Sequence, residues 1–270
     1  MNKVAQAKFD GSTRLTTGGS LKQTILKAVD EIGGFSKFIK TGDVVLLKPN
    51  FNTADPYPAS TDFEFLKVIV ELVYDCGAKL VAIGESSTVT FNTRKIMERL
   101  KIFDLLNLEQ PPRIYVFEQG DWIKKEIPNG KYLKTVQIPE ILGRIDKLIF
   151  LPCLKTHKQA QFTGALKLSV GFMKPFQRVP LHLKNIQEKI AELNKIIHPA
   201  LIIMDARKCF IKGGPAKGEL REPNLILASD DRVAIDVEGV KIIQSFKGNS
   251  LSKIQAEELP QIKRAMEFLA

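Results

Sequence analysis

Lys155, Thr156 and His157 stand in consecutive positions after an apolar run, and Thr163, Gly164 and Lys167 follow shortly downstream. A cation, a hydroxyl and an imidazole so placed suit the capture of an anion, and the catalytic candidates are Lys155, which neutralises it, and His157, which moves a proton. Thr163-Gly164 also opens a helical stretch, and the first amides of a helix favour negative charge. A solitary histidine is more often a hydrogen-bonded structural residue, yet His157 falls in a polar post-strand stretch rather than on an apolar helix face. The other histidines carry less. His182 comes shortly before a helix, and His198, ahead of Pro199, reads as a helix end.

Lys48, Asn50 and Asn52 follow the run Val44 to Leu47 and supply one charge and two amides that can orient a carboxylate, an amide or a phosphate. A loop in which Pro49 ends the strand and the Asn side chains cap backbone groups fits them equally. Glu85 and Ser86 offer backbone N–H groups to an anion or one carboxylate to a metal. An N-capping loop accounts for them as well, and the spaced glycines and Lys of a P-loop are absent. Asp205 precedes the segment Lys212 to Gly218, where Gly213 and Gly214 permit close wrapping of a ligand; a mobile flap that closes on an anion and an exposed tight loop both suit its composition. Asp236, between Ile235 and Val237, lies far enough into a helix to be partly buried and to need a cationic partner. Glu85, His157, Asp205 and Asp236 show no metal-ligand spacing, so no metal is assigned, and the residues name no cofactor.

The elements that must position these side chains alternate along the chain. Strands are expected at Val44 to Leu47, Lys79 to Gly84, Arg113 to Phe117, Lys147 to Leu151, Leu201 to Met204 and Asn224 to Ala228. Helices are expected near Phe63 to Val73, Arg94 to Leu100, Leu183 to Ile197, Arg232 to Phe246 and Ile254 to Leu269. This order predicts an α/β fold with a mostly parallel sheet and helices on both faces, and it places strand-end residues in a shared crevice. Pro128-Asn129-Gly130 predicts a small β-hairpin insertion near residues 122–138. No linker divides the chain, so residues 1–270 read as a single α/β domain with a C-terminal helix at 250–270.

Forty Lys and Arg against 30 Asp and Glu give a net charge of +10. A small anionic ligand is the partner this favours; nucleic acid is the alternative, although the cations are dispersed and aromatic residues make up only 8%. Cys76, Cys153 and Cys209 are too widely spaced for a disulfide framework or a self-contained cluster. No stretch approaches the ~18 apolar residues of a membrane helix and the start lacks a secretory apolar run, so the expectation is a cytoplasmic protein without membrane attachment.

Taken in order, Ile32-Gly33-Gly34-Phe35, Thr41-Gly42-Asp43-Val44 through Asn50, Gly77-Ala78-Lys79, Leu154 to His157, Gly164 to Lys167 and Asp230 to Asp236 resemble the family catalogued as domain of unknown function 362, over roughly residues 20–245. The resemblance carries Lys48, Asn50, Lys155, Thr156, His157, Gly164, Lys167, Asp205, Asp231 and Asp236 as pattern positions. It implies an association with iron-sulfur proteins and redox or anaerobic metabolism, and a distant likeness to α/β proteins of the nickel-dependent lactate racemase type. This chain lacks the clustered cysteines of members fused to ferredoxin modules, so a redox partner would be a separate ferredoxin-like protein. The leading expectation is an enzyme or cofactor-binding protein acting on a small anionic ligand in the strand-end cleft, and the alternatives are a nucleic-acid-binding protein and a non-catalytic partner of a ferredoxin-like protein.

Overall fold

Apolar side chains alternate along the central strands so that successive residues enter opposite layers, and this is the pattern from which the fold is built. The structure is a computed structural model that describes residues 2–10, 17–181 and 183–269, so His182 lies outside the described residues. In chain order the first half contains β1 (Ala5–Lys8), α1 (Thr17–Asp30), α2 (Phe35–Phe38), β2 (Val44–Lys48), α3 (Phe63–Asp75), β3 (Leu80–Glu85), α4 (Thr93–Arg99) and β4 (Arg113–Val116). Next come β5 (Trp122–Glu126), β6 (Thr135–Pro139), β7 (Lys147–Phe150), β8 (Cys153–His157), β9 (Gln161–Thr163), α5 (Ala165–Leu168), α6 (Pro175–Leu181) and α7 (Ile186–Leu193). The chain closes with β10 (Leu201–Gly213), β11 (Gly218–Arg221), β12 (Leu225–Ser229), α8 (Arg232–Gln244) and α9 (Pro260–Leu269).

The main sheet runs β1-β12-β10-β7-β2-β3-β4, parallel from β10 to β4 and antiparallel at the β12 and β1 edge. Val45, Leu47, Val81, Ile83 and Ile149 enter one core with α1 and α3, whereas Leu46, Ala82, Leu148 and Phe150 enter the other with α7, α8 and α9. The mostly parallel α/β architecture with helices on both faces therefore holds, and β5 and β6 form the expected hairpin as a separate two-stranded sheet. Helix starts are fixed by side-chain caps: Asp62 accepts from the Phe65 amide, Asn92 from that of Lys95, and Asp231 from those of Val233 and Ala234. Asp231 thus acts as a cap. Among the described residues no helix is long and apolar enough to cross a membrane.

Three expectations are corrected. Lys155 to His157 are not a loop but belong to β8, which pairs parallel with β10 and antiparallel with β9. β10 continues nine residues past Met204, because after leaving β12 and β7 it bends to pair with β8 and β11. The C-terminal helix is also shorter than its apolar period suggests, starting at Pro260.

Candidate functional site

From β2 the chain proceeds outward to β3 and β4, then returns to β7 on the other side of β2. Strand order reverses at β2, and the crevice beyond its carboxyl end is where such sheets accommodate ligands. Lys48 ends β2 and Glu85 ends the adjacent β3, so parallel register brings them together with Nζ 2.6 Å from Oε1, both side chains buried. Glu85 also accepts from the amides of Phe51 and Ser86, each at 2.8 Å, and Lys48 donates to the Pro49 carbonyl at 2.8 Å. Burial pushes the Lys48 ammonium below its ordinary pKa, and the Glu85 carboxylate opposes that shift.

The ion pair forms part of the wall of a cleft of about 310 Å³, also lined by Asn50, Asn52, Ser86, His157, Thr163, Lys167 and Arg178. Leu168, Val170, Val89 and Val179 give the cleft an apolar side. A second hollow of about 30 Å³ shares Asn50, Asn52, Thr163 and Lys167 with the cleft and adds Lys155, Pro215 and Ala216.

β8 explains which residues of the Lys155-Thr156-His157 run face this space. Lys155 is opposite Thr163 on β9, and side chains alternate, so Lys155 and His157 share the cleft face while Thr156 points the other way beside Phe162. Thr156 is therefore not in the lining. Lys155 is buried and donates to the carbonyls of Pro58, at 3.2 Å, and Ala59. Burial also lowers its pKa. His157 Nδ1 accepts from the amides of Gln159 and Ala160, each at 3.1 Å, which in the neutral ring leaves the hydrogen on Nε2. The two backbone bonds fix the ring's orientation, with Nδ1 committed as their acceptor.

Lys167 has a different environment. It is half-buried in the cleft lining, and its ammonium makes no hydrogen bond or ion pair among the described residues. Burial, then the neighbouring charges of Lys155 and Arg178, lowers its pKa to about 8. Thr163 Oγ1 is likewise buried without a partner among the described residues, and the Asn50 carboxamide, in the same lining, makes no hydrogen bond among them.

Arg178 on α6 went unnoticed in the sequence. Its Nη1 donates to the Ser86 and Ser87 carbonyls at 2.7 Å, Nε to Met173 at 2.8 Å and Nη2 to Gly171 at 3.1 Å, so one buried guanidinium ties the end of β3 to the approach to α6. Its signal is that it is the one charged residue between Pro175 and Leu181. Gly171 was missed too: a Cβ there would lie 2.6 Å from Lys48 Cε and 2.8 Å from Glu85 Oε1. Glu118 supports the site from behind, accepting from the hydroxyls of Ser86 and Thr93 at 2.7 Å each.

Other expected ligand residues lie outside the cleft lining. The Asp236 carboxylate accepts from the amides of Ala165 and Leu166 at 2.6 and 3.0 Å, filling the anion position at the start of α5 with the protein's own charge. Burial outweighs those bonds and raises its pKa to about 7. Gly164 serves this contact, since a Cβ there would sit 2.2 Å from Asp236 Oδ1. Asp205 accepts from the Tyr57 hydroxyl at 2.7 Å and from Arg207 Nη2 at 2.7 Å, which anchors the loop carrying Asn50, Asn52 and the acceptors of Lys155. Gly213 and Gly214 belong to the β10–β11 hairpin, in which Gly214 (φ +67°) approaches the Thr156 carbonyl more closely than any side chain permits. That hairpin tip, with Pro215 and Ala216, walls the small hollow beside Lys155. Among the described residues no group of three or more His, Cys, Asp or Glu side chains gathers as a metal ion would require, and the three cysteines are free thiols.

All the cleft-lining residues fall within residues 45–241, the span matched by the model of a family described as a domain of unknown function, DUF362. The chain belongs to this family. It is also similar to the thylakoid-associated protein sll1697 of Synechocystis, with 28% identity over 234 residues, covering 84% of this chain and 71% of that protein. A crystal structure of a Thermotoga maritima protein aligns with a TM-score of 0.47 and 11% identity, covering 93% of this chain, which spans 59% of that one. As a DUF362 member, the chain carries its candidate site within the segment that defines the family.

Proposed function

We propose that this DUF362 protein binds a small anionic ligand in the cleft beyond β2, with Lys167 as its principal counter-charge. The observation that carries the proposal is the Lys167 ammonium, half-buried beside Lys155 and Arg178 and without a carboxylate partner among the described residues. A charge so desolvated is costly, and an anion entering the cleft relieves the cost. Asn50 and Thr163, which line the same space with uncommitted polar atoms, orient the ligand. The cleft volume of about 310 Å³ suits a metabolite-sized molecule better than a nucleic-acid strand. For a role in redox metabolism, the partner is a ferredoxin-like protein that brings its own cluster.

Calorimetric titration with inorganic phosphate, pyrophosphate and small dicarboxylates at low salt tests this. At least one should bind and raise the melting temperature, and Lys167→Met should weaken binding tenfold or more. No binding at millimolar concentrations, or equal binding by the variant, defeats the proposal.

A further inference from the structure

Counter-charge does not account for how the three cleft lysines differ. Lys48 is tied to Glu85 and to the Pro49 carbonyl, and Lys155 to the carbonyls of Pro58 and Ala59. Among the described residues Lys167 is held by no hydrogen bond or ion pair, at the junction of the cleft and the small hollow, and the Thr163 hydroxyl, likewise without a partner there, lines both spaces. An amine so placed is open to a bond with carbon as well as to an ion pair.

We propose that Lys167 condenses with the carbonyl of a small 2-oxo acid held in this cleft, forming an imine. The inference rests on the anion-binding reading above, since the substrate's carboxylate is what the surrounding cations hold. In the step, the lone pair of unprotonated Nζ forms a bond to the carbonyl carbon while the π pair moves to oxygen, which takes up a proton to give a carbinolamine. Loss of the hydroxyl as water, with departure of the remaining amine proton, completes the C=N bond. The balance is amine plus ketone to imine plus water, with no oxidant or reductant. The Thr163 hydroxyl is available to the carbinolamine oxygen.

The charged groups around the amine favour its neutral form. Lys155 and Arg178 add positive potential, Glu85 is paired with Lys48, and His157 engages backbone amides through Nδ1. With its pKa at about 8, roughly one Lys167 in ten is a free amine at pH 7, about 200-fold more than for an exposed lysine of ordinary pKa.

The test incubates the full chain with pyruvate or 2-oxoglutarate and cyanoborohydride at pH 7.5, followed by intact mass and peptide mapping. The expected result is one saturable adduct on Lys167, suppressed by inorganic phosphate, formed at least tenfold more slowly with acetone, and lost in Lys167→Arg, whose fold is checked by circular dichroism and melting. Absence of an adduct, or uniform slow labelling of surface lysines, while phosphate still raises the melting temperature, overturns the imine and leaves anion binding standing. No adduct and no phosphate effect overturns both.

Discussion

Replacing Glu85 by Gln removes the counter-charge of a buried ammonium while nearly preserving shape. The carboxylate serves Lys48 Nζ at 2.6 Å and the amides of Phe51 and Ser86 at 2.8 Å, whereas a carboxamide has one oxygen and turns an N–H2 toward at least one of those donors. Breaking one side of a buried pair costs about 3–5 kcal/mol, and an unsatisfied backbone amide about 1–3, the two overlapping rather than adding. A loss of about 4 kcal/mol at pH 7 lowers the urea midpoint by more than about 1 M for a slope near 3 kcal/mol/M. Urea unfolding from pH 7 to 10.5 supplies a second readout. The folded Lys48 pKa is already depressed by burial, and without Glu85 it falls further. Between that depressed value and the unfolded value, the unfolded chain holds the proton that the folded one releases, so stability of the variant rises with pH and its deficit shrinks. A deficit below 1 kcal/mol at pH 7, or one that does not change with pH, refutes the claim that this pair is buried and ionised.

Lys167→Met should raise stability by about 1–3 kcal/mol at pH 7 in anion-free buffer, because the folded pKa of about 8 lies below the unfolded one; urea titration should show the gain vanishing above pH 10.5. Asp236 has the opposite sign: with its folded pKa raised to about 7, stability falls as pH rises from about 4 to 7, and Asp236→Asn should flatten that part of a melting-temperature profile. Gly171→Ala should cost about 1–3 kcal/mol in urea unfolding and weaken phosphate binding, since its methyl displaces the Lys48–Glu85 pair.

The parallel core was legible because Val44 to Leu47, Lys79 to Gly84 and Lys147 to Leu151 are short apolar runs with polar ends, and the structure keeps them as β2, β3 and β7 within a residue or two. β8 was not, because Lys155, Thr156 and His157 look like a solvated turn. Their strand is enclosed by β9, β10 and the loop at Pro58, which only the tertiary fold supplies. Asp236 was correctly suspected of burial, but its partners are amides on α5 rather than a cation, and a contact spanning 71 residues leaves no trace in spacing. The same holds for Arg178, whose acceptors at Ser86 and Ser87 lie 92 and 91 residues away.

The hollow behind Lys167 also sets a measure of molecular size. Its volume of about 30 Å³, bordered on one side by Pro215 and Ala216 at the hairpin tip, admits a water molecule or a group of similar bulk. Because Lys167 lines both spaces, a molecule that reaches it from the main cleft finds room in the hollow for one small substituent. Compounds differing only in the branch directed into that hollow would be sorted by volume, methyl accepted and larger alkyl groups turned away, with the β10–β11 turn acting as the gauge.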